Sequence, residues 1–361
     1  MADTLANSPS YISYRRENPF SHADFVGDAI DQLVTIEAKN LGMPHGVLKP
    51  LYDHARQLSG GRPISMVCAE RLLETLQPGD TVLVLTGAGY APTLPQGEND
   101  GPPGAASLAR ALYKGLGAVP VYAVEECHSA PMIASSHAAG IMVKSFEEAR
   151  DFRLGAALAI APLSQEGVTE WVEHIFDTMK PKALITTERL GPGDGNIIHN
   201  STGHPWSGPN REVKHDVVDI APLVDEANRR GILTIGIGDH GNELGFGSIR
   251  ETVVQVLPRG DKMGTVTPTQ VLLPVMMSNW GCYAIQAALA FLLKSPALVH
   301  GMEDERRIVR ACLDAGGLEA INCSTDAWVD GLDLESSMAC VQLLSNIIRK
   351  ALEPHSAGLI H

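Results

Sequence analysis

Between Thr81 and Val275, six short runs rich in Val, Ile, Leu and Ala alternate with longer stretches whose apolar residues recur at helical spacing. The runs fall at 82–85, 120–124, 157–160, 183–186, 233–237 and 271–275, and helices are expected at 105–116, 129–139, 166–179, 220–230, 249–256 and 280–293. A strand that is apolar on both faces must be covered on both. Strands separated by helices lie parallel, because a crossover is needed to bring the chain back to the same edge. The expected fold class is therefore α/β: an open, mostly parallel sheet with helices on both faces. Right-handed crossovers then put every loop that follows a strand on one edge of that sheet.

The alternating region is flanked by helical additions. Residues 1–20 are polar and turn-rich and are expected to form an arm; 21–361 would be a single α/β domain. Its N-terminal helices occupy 21–78, the first capped by Ser21 and running towards Asn40, with further helices at 47–58 and 64–76. C-terminal helices are expected at 303–315 and 334–352, and 190–216 would be a long loop or small lid.

Charge and composition narrow the partners. Lys plus Arg number 28 against 42 Asp plus Glu, a net charge of −14, with no concentrated basic segment. Nucleic acid and anionic membrane surfaces are poor partners for such a chain, and no long apolar run suggests a span. A cytoplasmic location is expected, with the six scattered cysteines as thiols in a reducing compartment. The apolar N-terminal helices point to a homo-oligomer, and the partner of the loops is expected to be a small molecule.

Polar constellations follow most of the six runs. After the first run a constrained loop carries Glu98 and Asp100, ligands for a cation or an amine, and enters a helix at Gly104, where backbone N–H groups suit a phosphate or carboxylate. The loop has no G-x-G-x-x-G, and no nicotinamide, flavin or PLP is expected. The second run ends in Glu125-Glu126-Cys127-His128, where a glutamate lining the pocket is a better expectation than a cysteine nucleophile. The fourth ends in Glu188-Arg189, Arg189 being a natural carboxylate clamp through two parallel N–H donors, with Asp194 and Asn196 beyond. The fifth delivers Gly236 to Gly247, where Asp239, His240, Asn242 and Glu243 offer acid/base or metal-binding groups within five residues. The sixth delivers Ser278, Asn279 and Trp280. Such one-sidedness is how an open α/β sheet builds a site along the carboxyl edge of its strands.

Four stretches taken together resemble the C-terminal domain of the D-glutamate cyclase family: Glu98-Asn99-Asp100-Gly101-Pro102-Pro103-Gly104-Ala105; Glu188-Arg189 with Asp194-Gly195-Asn196; Gly238-Asp239-His240-Gly241-Asn242-Glu243-Leu244-Gly245; and Ser278-Asn279-Trp280-Gly281. The resemblance spans roughly 22–293. Position 240 is usually glycine in that family, so His240 adds a titratable group to the expected site, and the stretch 197–206 also departs from the family pattern. The resemblance implies a hydro-lyase that converts D-glutamate to 5-oxo-D-proline and water, or closes or opens a related cyclic amide. It implies a base (Glu243 or His240), the Arg189 clamp, and orienting hydrogen bonds from Asn242, Asn279 and Ser278. Mg²⁺ or Mn²⁺ on Asp239, Glu243 and Asp194 would complete the site, because converging carboxylates repel without a cation. A hydrolase of a different cyclic amide and a non-catalytic binder of an amino acid or nucleotide are the alternative readings.

Overall fold

The computed structural model describes residues 21–353 apart from 40, 41, 43, 163 and 207–217. The expected arm and the second part of the 190–216 excursion lie outside the described residues.

Helices α1 (His22–Val34), α2 (Leu48–Leu58) and α3 (Ile64–Thr75) precede the sheet. The alternating region follows as β1 (Thr81–Leu85), α4 (Pro102–Leu116), β2 (Val119–Val124), α5 (Glu126–Ala138), β3 (Val143–Lys144), α6 (Phe146–Phe152), β4 (Ala156–Ile160), α7 (Val168–Thr178), β5 (Ala183–Thr187), α8 (Ala221–Arg229), β6 (Leu233–Gly238), α9 (Arg250–Val256), α10 (Gly260–Met263), β7 (Val271–Pro274) and α11 (Ser278–Leu292). Helix α12 (Met302–Asp314), a hairpin of β8 (Trp328–Val329) and β9 (Leu332–Asp333), and α13 (Leu334–Leu352) close the described chain.

The seven-stranded sheet has the order β3-β4-β2-β1-β5-β6-β7, and every pairing is parallel. All six expected strands are present. Residues 143–144 add a two-residue edge strand that is too short to carry a periodicity. Side chains alternate between the faces as strand geometry requires. Val82, Val84, Tyr122 and Ile185 face the larger core, where Leu108 and Leu112 of α4, Ile285 and Leu289 of α11, and Ile30 of α1 are buried. Leu83, Leu85, Val121 and Leu184 face the smaller one, built on Val172 and Phe176 of α7 and Leu223 of α8.

Two local outcomes position the site. Helix α1 stops at Val34 rather than continuing to Asn40. Thr35 caps it, its hydroxyl donating to the Asp31 carbonyl at 2.7 Å, while the Val34 carbonyl accepts from Met276 N–H at 2.9 Å. The chain beyond runs without helix, which lets Lys39 reach the sheet edge. In addition, Trp328-Val329-Asp330-Gly331-Leu332 folds as the β8–β9 hairpin, with Asp330 (φ 47°) and Gly331 (φ 79°) in the left-handed region that a tight hairpin turn uses.

Helix α11 is buried through its first thirteen residues, so its backbone must lie close to the strands. A Cβ on Gly281 would meet Ile237 Cγ2 at 2.3 Å and the Val275 methyls at 3.2 Å. Gly281→Ala is therefore expected to cost about 1–3 kcal/mol through overpacking. Urea denaturation of the variant checks this, and an unchanged midpoint would contradict the packing described.

Candidate active site

The direction in which the chain adds strands reverses between β1 and β5, which are neighbours in the sheet. Loops leaving a sheet at such a point diverge and leave a crevice at the carboxyl ends of the strands. Glu98 and Asp100 enter it after β1, Glu188 after β5, and Asp239 to Glu243 after β6. Two groups arrive from outside the α/β region: Lys39 from the segment after α1, and Asp330 from the β8–β9 turn.

Asp239 is the centre of a buried charge relay. One carboxylate oxygen accepts from Lys39 Nζ at 2.5 Å; the other lies 2.5 Å from His240 Nδ1. Lys39 also donates to Asp330. Burial alone would push the Asp239 carboxyl up, but the adjoining imidazolium and ammonium hold it well below the usual carboxylate range. Burial disfavours charge on His240, yet Asp239 outweighs it and pushes the imidazole up to about 9. His240 is therefore an imidazolium at neutral pH, with Nδ1–H committed to Asp239.

The remaining carboxyls are held differently. Asp100 caps α11: its two oxygens accept from the backbone N–H of Asn279 at 2.7 Å and Ser278 at 2.9 Å. The Asn279 side chain returns the link, its oxygen accepting from Gly101 and Gly104 N–H and its nitrogen donating to the Asn99 carbonyl. Ser278 Oγ donates to Glu188 at 2.6 Å. Glu188 sits at φ 44°, a left-handed conformation that costs a non-glycine residue roughly 1–2 kcal/mol. Burial, reinforced by the neighbouring acids, raises the affinity of Glu98 and Glu188 for a proton and pushes Asp100 up to about 8. Burial and the Asp239 charge bring Glu243 to about 7.

A cavity of about 460 Å³ opens above this cluster. Glu98, Glu188, His240, Asn242 and Asp330 line it at the charged end, while Tyr90, Leu94, Leu190, Trp206 and Ile321 supply apolar surface. Among the described residues, His240 Nε2, Asn242 Oδ1 and Trp206 Nε1 are buried without a hydrogen-bond partner. All three residues line the cavity. An unpartnered buried polar atom costs about 1–3 kcal/mol, and a ligand that met it would recover that cost.

The expected site residues do not all converge. Glu98, Asp100, Glu188, Asp239, His240, Asn242, Glu243 and Ser278 gather at or directly behind the cavity. Glu243 faces the loop itself, its Oε1 accepting from the backbone N–H of His240 at 2.9 Å and of Asp239 at 3.2 Å. Arg189 does not act as an open clamp: its guanidinium is buried, with both forks on Glu125 at 2.5 and 2.6 Å and a further bond to the Val218 carbonyl. Glu125 is accordingly consumed by that pair instead of lining the pocket, and Glu126 is exposed. Asp194 is exposed and bonded to Arg250, and Asn196 is exposed on the same turn, so neither joins the cluster. Gly104 N–H is taken by Asn279, and a Cβ there would meet that residue at 2.7 Å. Trp280 points away from the cavity, donating to Ser337 at 3.1 Å.

Lys39 and Asp330 were not legible as site residues. Nothing local marks a lysine as one that will be buried. Asp330 carried a usable signal, because Asp-Gly between apolar residues is a hairpin turn, but its destination depends on packing.

Two groups of side chains offer ligand atoms all within 4.8 Å of one another: Asp239, His240 and Asp330, and Asp100, Glu188 and Asp239. These buried acidic and histidine clusters could hold a metal ion. The second group consists of carboxylate oxygens alone, a donor set suited to a hard divalent cation.

Comparison with known proteins gives the same region a context. The model of the family described as D-glutamate cyclase-like, C-terminal matches residues 52–345. The human mitochondrial D-glutamate cyclase is 29% identical over 250 residues, an alignment covering 64% of this chain and 37% of the human protein. The chain thus matches little more than a third of that relative's length. Among the described residues no helix is long and apolar enough to cross a membrane.

The Glu125–Arg189 pair yields a stability prediction. Burial opposes ionisation of Glu125, but Arg189 prevails and holds the carboxyl well below its ordinary 4.5. Stability from the pair is therefore present above pH 4.5 and lost as pH falls below it. Glu125→Gln, which strands a buried guanidinium, is expected to cost about 3–5 kcal/mol at pH 7 and to flatten the acid limb of the stability profile. Denaturant titrations from pH 3 to 7 on both proteins check the two effects.

Proposed function

The chain belongs to the D-glutamate cyclase-like family, and we propose that it is a hydro-lyase that closes or opens the lactam of a small amino acid in the cavity above Asp239. The observation that carries this reading is that His240 Nε2 and Asn242 Oδ1, on two residues that line the cavity, are both buried and unpartnered. As an imidazolium, His240 offers an N–H donor; Asn242 offers an acceptor. A lactam presents the complementary pair, a carbonyl oxygen and an N–H on the same side of the ring.

In ring closure an ammonium nitrogen loses two protons while the departing carboxylate oxygen gains two and leaves as water. The acidic rim receives the ammonium, whose positive charge opposes the effect of burial and favours the carboxylate form of Glu98, which lines the cavity; Glu98 takes the first proton so that the amine can attack, and hands it to the departing oxygen. His240 Nε2–H donates to the carboxyl oxygen and supplies its second proton, and the second proton released from nitrogen restores the imidazolium, so that two protons pass from nitrogen to the oxygen that leaves as water. Asp239 holds the imidazole charged and oriented, and Lys39 and Asp330 keep Asp239 in place. Ring opening runs the same transfers in reverse. The base role implied for Glu243 passes to Glu98 because Glu243 faces the loop backbone.

Mg²⁺ or Mn²⁺, if bound, would be held by Asp100, Glu188 and Asp239 and would polarise the reacting carbonyl oxygen as a Lewis acid. That assignment leaves Glu98 and His240 free for proton transfer.

Turnover of D-glutamate and of 5-oxo-D-proline, by metal-stripped protein and after add-back of each ion, is the direct test. His240→Gln and Glu98→Gln are each expected to lower kcat by about 10²–10⁴-fold, the usual contribution of a positioned acid or base. Near-normal turnover by either variant would remove that residue from its role. Inactivity of the parent protein on both compounds, with and without each ion, would remove D-glutamate and its lactam as substrates.

A further inference from the structure

The cavity has a second end that ring chemistry does not use. Trp206 stacks on Tyr90 with ring centroids 4.8 Å apart and an interplanar angle of 56°. Trp206, Leu190, Ile198 and Ala88 form a small hydrophobic cluster separate from both cores, with Tyr90 packed against it. Beside the polar residues Thr93, Asn200, Ser201 and Thr202 that also line the cavity, Trp206 Nε1–H is buried, and among the described residues it has no acceptor. A buried indole N–H is normally satisfied, so an unpartnered one on a residue that lines a cavity marks a place for an acceptor from a ligand.

Charge limits what that ligand can be. Among the described residues no Lys or Arg lines the cavity, whereas Glu98, Glu188 and Asp330 do. A free carboxylate elsewhere on the substrate would face the acids at one end and, at the other, apolar surface with only neutral donors such as Thr93, Asn200, Ser201 and Thr202. Arg189, which could have paired with it, is sealed against Glu125.

We propose that Tyr90, Leu94, Leu190 and Trp206 form a specificity subsite for a neutral carbonyl bearing an apolar group. The preferred substrate is then an amino acid or lactam whose non-reacting carboxyl is carried as an amide. The proposal rests on the lactam reading of the same cavity and names its substrate class. Trp206 Nε1–H donates to the exocyclic amide oxygen, and the substituent packs on Tyr90 and Leu94. The scale is modest: one neutral hydrogen bond is worth roughly 3- to 10-fold in affinity, and an aromatic substituent adds the burial of its ring.

The experiment is calorimetric titration of the protein with 5-oxoproline and with its benzylamide, each as both enantiomers, on the parent, Trp206→Phe and Tyr90→Ala proteins. The parent is expected to bind the benzylamide at least about tenfold more tightly than the free acid. Trp206→Phe, which keeps a ring and deletes the donor, should shrink that preference about 3- to 10-fold, and Tyr90→Ala should shrink it independently. Equal or tighter binding of the free acid, a preference that survives both substitutions, or binding of neither compound would overturn the subsite. Turnover in the same samples reports on the lactam reading separately. Opening of the free acid without any benzylamide preference would keep that reading and remove the subsite. A Trp206-dependent preference without turnover of either compound would do the reverse.

Discussion

The site depends on how one buried carboxylate, Asp239, is shared between two cations. Lys39 on one oxygen and His240 on the other leave it fully ionised in a place where burial alone would have protonated it. That charge in turn favours the imidazolium form and fixes the ring through Nδ1, leaving Nε2 without a partner. The neighbouring acids show what happens without such partners: Glu98, Glu188 and Asp100 are all pushed towards the protonated form by burial and mutual repulsion. A crowd of carboxyls with two fixed cations is short of positive charge, and its ligand atoms lie close enough together that they could hold a metal ion.

Several residues with a catalytic look are structural once seen in place. Asp100 and Asn279 lock the loop after β1 to the start of α11 by reciprocal bonds between side chain and backbone. Arg189 and Glu125 tie the ends of β5 and β2 to the Val218 segment. These latches hold the crevice open at the switch point. They also explain why glycine stands at position 104, where a Cβ would meet the Asn279 Cα and side chain at 2.7 Å.

Much of this was legible in the chain. The six central strands, their parallel order and the carboxyl edge as the site follow from apolar runs separated by helical stretches, because each run must bury both faces. Asp239, His240, Asn242, Glu98 and Glu188 were recognisable as a convergent set, since the loops that carry them leave neighbouring strands on one side. Arg189 and Glu188 show the limit. They are adjacent, and φ 44° at Glu188 sends one to the cavity and the other to a buried ion pair, a division that no local pattern records.

The sequence by itself determined the layered architecture and the edge at which the chemistry sits, because hydrophobic periodicity and crossover handedness act over single elements and their neighbours. Only the tertiary structure decided which polar groups meet. Lys39 and Asp330 are 291 positions apart, and each reaches Asp239's surroundings from segments outside the α/β alternation. Ionic and hydrogen-bonding partners are chosen by distances of a few ångströms after the layers have packed, and that choice has no periodic signature in the chain.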